Sequence, residues 1–110
     1  MQRVYPSSGS VSIWAGTFET EDAFDEEVDA VLAPALNLPC DIADICETTF
    51  ESQATPIRSL LTGFSGDRSF IDSAILAAER VGISSGTAAI VCYHLTVTDA
   101  SVSDRLHFLG

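Results

Sequence analysis

Thr87-Ala88-Ala89-Ile90-Val91-Cys92-Tyr93-His94-Leu95-Thr96-Val97 is the stretch from which the fold is read. Its density of Val, Ile, Tyr and Thr predicts a long β-strand. Working back, Ser84-Ser85-Gly86 reads as a loop. Before it, Gly82 closes a helix that begins at Asp67 and buries Ile71, Ala74, Ile75 and Ala78, with Ile83 packing back onto it. Thr55-Pro56 opens an earlier helix with Pro at the first helical position, Ile57, Leu60, Leu61 and Phe64 on its apolar face, and Gly63 as its stop. Working forward, Thr98–Ser103 turns the chain. Asp104–Leu109 alternates Leu106 and Phe108 against Arg105 and His107, a last strand expected to form a hairpin with Thr87–Val97.

In the N-terminal half, Val11, Ile13 and Ala15 alternate with Ser12, Trp14 and Gly16 as a first strand. Thr20 caps a helix whose first turn carries Glu21 and Asp22 against the positive end of the helix dipole. Phe24, Val28, Val31 and Leu32 fall on one stripe, Asp25, Glu26 and Asp29 face water, and Pro34 ends the helix. A short turn near Asp41 leads into a strand over Ile45–Ser52 that holds Thr48, Thr49 and Phe50. The order β-α-β-α-α-β-β over one domain, residues 1–110, predicts an α+β fold. Its sheet is expected to be antiparallel or mixed, of about four strands, with about three helices packed on one face.

With 110 residues and 46% apolar composition, the chain can bury a real core. No apolar run approaches the roughly 20 residues that a membrane-spanning helix needs, and Met1–Ser10 shows no secretory leader, so the expected location is cytoplasmic. Three cysteines, Cys40, Cys46 and Cys92, are an odd number, read as free buried thiols in a reducing compartment; a Cys40–Cys46 bridge is the alternative.

The net charge is −11, and it is segregated. Glu19, Glu21, Asp22, Asp25, Glu26, Glu27, Asp29, Asp41, Asp44, Glu47 and Glu51 lie in one third of the chain, no Lys or Arg occurs from Val4 through Ile57, and there is no lysine at all. The other five acids are balanced by the five arginines. Such a block excludes nucleic acid and anionic membranes as direct ligands, because phosphates need basic partners. It favours a basic protein partner over a surface that only maintains solubility. The expected contact set is Asp25, Glu26, Asp29, Asp41, Asp44, Glu47 and Glu51, whose carboxylates accept charge-assisted bonds from arginine and lysine.

Catalysis has a weaker claim. Cys92 and His94 share a face of one strand and His107 lies on the next in sequence, a constellation that a small enzyme or ligand-binding domain would use. No nucleophile elbow accompanies it, and Gly63-Phe64-Ser65-Gly66 lacks the lysine of a phosphate-binding loop. Cys40 and Cys46 are spaced too widely for a structural zinc pair, and Asp41, Asp44 and Glu47 lack the pattern of a calcium loop. The expectation is therefore no enzyme, no cofactor and no metal.

Three segments in order carry a resemblance: Val11-Ser12-Ile13-Trp14-Ala15-Gly16-Thr17-Phe18, then Asp41-Ile42-Ala43-Asp44-Ile45-Cys46-Glu47-Thr48-Thr49-Phe50-Glu51, then Arg105-Leu106-His107-Phe108-Leu109-Gly110. Together they resemble the bacterial immunity protein 22 family of polymorphic toxin systems, over Val11–Gly110. The middle segment departs from the family pattern in lacking an adjacent Tyr. The resemblance implies an antidote that binds a cognate toxin, many of which are nucleases with a basic active cleft. An acidic mimic of nucleic acid that occupies a DNA-binding protein would show the same charge pattern.

Overall fold

In the computed structural model, which describes residues 4–36, 46–64, 66–97 and 105–109, the strands form one antiparallel sheet in the order β2-β3-β1-β4. β1 spans Val4–Gly16, β2 Cys46–Pro56, β3 Ser85–Val97 and β4 Leu106–Phe108. Between β1 and β2, α1 (Glu21–Glu27) continues through a π turn (Val28–Leu32) into α2 (Ala33–Leu36). Between β2 and β3 come α3 (Ile57–Leu61), a 3-10 turn (Asp67–Ser69) and α4 (Ile71–Arg80). The α+β class and the expected order of elements both hold.

The helices are divided between the two faces of the sheet instead of sharing one. On one face Trp14, Ala88, Ile90 and Cys92 pack with Phe24, Val28 and Leu32 of the first helical run, together with Phe18 and Leu106. On the other, Ile13, Ala15, Ala89 and Val91 pack with Ile57, Leu60 and Leu61 of α3 and Ile71, Ala74 and Ala78 of α4. Successive strand residues point to opposite faces, so a strand covered on both sides must be apolar at every position. Ala88 through Cys92 meet that demand and are all fully buried.

β4 pairs with β1, not with β3, so the expected hairpin is absent. β3 already has a neighbour on each edge, β1 and β2. Pairing with β1 sets Phe108 against Trp14, ring centres 5.1 Å apart, and lets the Leu109 amide donate to the Ile13 carbonyl at 2.7 Å.

Local signals explain most element ends. Thr20 accepts from the Ala23 amide at 3.1 Å, the expected N-cap. At the end of α4, Gly82 has φ +83° and the Ile83 amide returns to the Ala78 carbonyl, a Schellman closure that seats Ile83 against the core. Pro56 closes β2 instead of opening α3, an offset of one residue. Pro34 does not end its helix. Lacking an N–H and crowding the carbonyl four residues back, it is accommodated by the wider π turn before it, in which the Ala33 amide reaches the Val28 carbonyl. That turn keeps Leu32 in line with Val28 and rotates Val31 off the stripe, leaving it 37% exposed.

The reading of the cysteines as free thiols is also corrected. Cys46 of β2 and Cys92 of β3 are direct cross-strand partners and form a disulfide. Their Cα atoms are 4.1 Å apart, the close spacing of a non-hydrogen-bonded antiparallel pair. Sequence spacing gave no hint of it, because the two residues are 46 positions apart. Cys40 lies outside the described residues.

Candidate partner-binding surface

α1 is amphipathic in a simple way. Phe24 and Val28 enter the core at four-residue spacing, which turns Asp22, Asp25, Glu26 and Asp29 outward. These four sit at i, i+3, i+4 and i+7, so they form one row on the solvent face, and all are exposed. Glu21 is exposed beside them, and neither α1 nor the π turn has a basic residue in its last turn. Like charges at these spacings repel and weaken a helix. Among the described residues, none of the side chains of Asp22, Asp25, Glu26 and Asp29 has a hydrogen-bond or ion-pair partner.

The rest of the expected set divides. Asp41 and Asp44 lie outside the described residues. Glu51 is exposed on β2, an edge strand of the sheet, in the stretch where β2 departs from regular pairing between Phe50 and Thr55. Glu47 also lies on β2 but is half-buried, and the Tyr93 hydroxyl donates to its Oε1. Its cross-strand partner Val91 belongs to the core under α3 and α4, and Tyr93 packs against that same core. Glu47 therefore belongs to the face opposite α1, and the structure joins Asp25, Glu26 and Asp29 without bringing Glu47 to them.

Two features were missed in the sequence. The dipole argument accounts for Asp22 only as a helix-start residue, although its position three residues before Asp25 places it on the acidic row. The Tyr93 bond to Glu47 is a diagonal cross-strand contact, which needs the register Cys46↔Cys92 and Glu47↔Val91 to be known.

The alternative constellation of Cys92, His94 and His107 is not assembled. Cys92 is held in the disulfide and carries no thiol. His107 is exposed and lies opposite Ala15, which in turn lies opposite Ala89, with β1 between β4 and β3. Five residues along and two strands across, the His94 and His107 backbones are roughly 20 Å apart at ordinary strand spacings. Among the described residues no group of three or more His, Cys, Asp or Glu could hold a metal ion, and no helix is long and apolar enough to cross a membrane.

Two of the arginines make contacts with named partners. Arg58 pairs with Asp72 at 2.9 Å, and Arg105 lies 4.3 Å above the Phe18 ring. The Trp14-Ala15-Gly16 signal also has a packing role, since Trp14 is fully buried and a Cβ on Gly16 would collide with the Arg105 carbonyl oxygen. Comparison of the chain with protein-family models, with curated proteins and with solved structures finds no match.

Proposed function

We propose that this chain is a stoichiometric inhibitor of the immunity-protein kind, which binds a toxin with a basic active cleft and blocks it. The observation that carries the reading is the row Asp22, Asp25, Glu26 and Asp29, a run of mutually repelling carboxylates on one exposed helix face that make no ion pair among the described residues. Such a row destabilises its own helix and is relieved when basic groups of another protein approach it. The motif resemblance supports the same reading. Glu51 extends the contact set on β2, and Asp41 and Asp44 belong to it by charge.

The test begins with capture of partners from the source cell at low salt, followed by elution with a high-salt wash. The double variant Asp25→Lys, Asp29→Lys is then assayed for protection against the captured toxin. Both positions are exposed, so the circular-dichroism spectrum is expected to stay that of the wild type. Protection is expected to fall at least about a hundredfold, the scale of two lost charge contacts. Full protection by the folded double variant defeats the proposal.

A further inference from the structure

β2 is an edge of the sheet, and its register with β3 tells which of its backbone groups look away from the molecule. In an antiparallel ladder, pairs that exchange two hydrogen bonds alternate with close pairs that exchange none, and the N–H and C=O groups of a close pair point outward. Cys46↔Cys92 is a close pair, with Cα atoms 4.1 Å apart. Counting on from it, Thr48↔Ile90 and Phe50↔Ala88 are close pairs too, whereas Glu47 and Thr49 turn their backbone groups to β3. The N–H and C=O of Thr48 and of Phe50 are therefore directed to the free edge, where among the described residues they meet no partner. Edge strands are commonly blunted by lysine or proline. Cys46–Phe50 holds neither, and Thr48 is exposed. The stretch is also held in shape, because the disulfide fixes its first residue and regular pairing with β3 runs on to Phe50. An incoming strand meets a row of donors and acceptors that is already ordered, which lowers the cost of association.

We propose that Cys46–Phe50 receives an extended, basic segment of the partner protein as an added strand of the sheet. Charge selects this occupant. β2 contains Glu47 and Glu51 but no Lys or Arg, and the chain carries −11, so a second copy of the same strand brings like charge to like. A segment with arginine or lysine is attracted instead. Main-chain bonds to Thr48 and Phe50 supply affinity, and alternate side chains supply specificity. Phe50 packs on the face of the sheet that carries α1, so every second residue of the added strand emerges on the side of the acidic row. The inference deepens the reading above and rests on it for the partner's existence.

The test uses the isolated protein and a short, end-capped peptide in which arginine alternates with valine. Its counterparts are the same peptide N-methylated at every backbone amide, which keeps the charge and removes the donors, and one with glutamate in place of arginine. Amide hydrogen exchange is followed by NMR. The arginine–valine peptide is expected to slow exchange at Thr48 and Phe50 at least about tenfold, and both counterparts to leave it unchanged. Thr48→Pro removes an outward N–H without breaking a bond to β3, a change that edge strands admit. It is expected to weaken the peptide, and protection against the captured toxin, about tenfold, with the wild-type amide pattern retained outside β2. The methylated peptide leaves the protein untouched, so its comparison decides even where Thr48→Pro fails to fold. A methylated peptide that binds as well as its parent, binding confined to Asp22–Asp29, or full protection by folded Thr48→Pro overturns the added strand and leaves the acidic-row proposal standing. Protection of Thr48 and Phe50 that grows with protein concentration alone puts a second copy at the edge and overturns it as well. Strand addition to a protein that captures no toxin upholds the chemistry of the edge and overturns the antidote reading alone.

Discussion

At the scale of single residues, the meeting point of β1, β3 and β4 is governed by what has no side chain. A Cβ on Gly86 would lie 2.8 Å from the Gly16 carbonyl oxygen, closer than real Cβ atoms come, and the obstacle is main chain that cannot rotate away. One residue on, the Thr87 hydroxyl accepts from the Phe18 amide at 2.8 Å and donates to the Phe18 carbonyl, tying the end of β1 to the start of β3. Trp14 fills the adjoining core with its indole N–H meeting no acceptor among the described residues. An unmade bond of that kind costs about 1–3 kcal/mol, whereas burying an aromatic of 150–250 Å² contributes about 4–6 kcal/mol, so packing wins. Gly86→Ala is therefore predicted to destabilise the fold by about 1–3 kcal/mol, the usual cost of overpacking, measured as a lower urea midpoint. An unchanged midpoint would show that the strand ends are not packed as described.

At the scale of elements, β2 is the piece with the least to hold it. It is an edge strand, its pairing with β3 is interrupted between Phe50 and Thr55, and residues 51–54 are exposed. The Cys46–Cys92 disulfide fastens its first residue to the centre of the sheet. Closing a loop of that length restricts the unfolded chain by about 4 kcal/mol in the chain-entropy account, and measured effects are commonly about 2–4 kcal/mol. Reduction, or the pair Cys46→Ala and Cys92→Ala, is thus predicted to lower stability by about 2–4 kcal/mol, with amide exchange rising first along β2. Equal stability with and without reductant refutes this. A bridge of this kind is uncommon in a reducing cytoplasm. The sequence was legible where physics is local: the Thr20 cap, the Gly82 closure and the burial of Phe24, Val28 and Leu32 need only neighbouring residues. It was opaque where distant strands decide the outcome. The disulfide, the place of β4 and the Tyr93–Glu47 bond all depend on register. The covering of both faces was visible in principle, since Ala88–Cys92 is apolar without alternation. The acidic row followed from helical spacing alone.

At the scale of the whole molecule, electrostatics within the folded chain is dominated by repulsion. The net charge is −11, and the acids of residues 19–51 face no basic residue of their own segment. The Arg58–Asp72 pair cannot offset this, because both side chains are well exposed (62% and 81%) and such pairs contribute about 0–1 kcal/mol. Salt shortens the range of these interactions, from a Debye length of about 30 Å at 0.01 M to about 8 Å at 0.15 M. Screening therefore relieves the free protein of self-repulsion, and its melting temperature is predicted to rise as sodium chloride increases across that range. The opposite sign holds for the proposed complex, in which the same carboxylates attract basic groups on the toxin, so association is predicted to slow and weaken over the same range. The two measurements, thermal melts of the free chain and association rates with the captured toxin, use the same buffers and must diverge. Chloride is preferred to sulfate, because sulfate strengthens apolar burial by exclusion and would raise the melting temperature for an unrelated reason. A melting temperature that stays flat or falls would mean that the carboxylates are already compensated within the chain, and the excess charge would then have no repulsion for a partner to relieve.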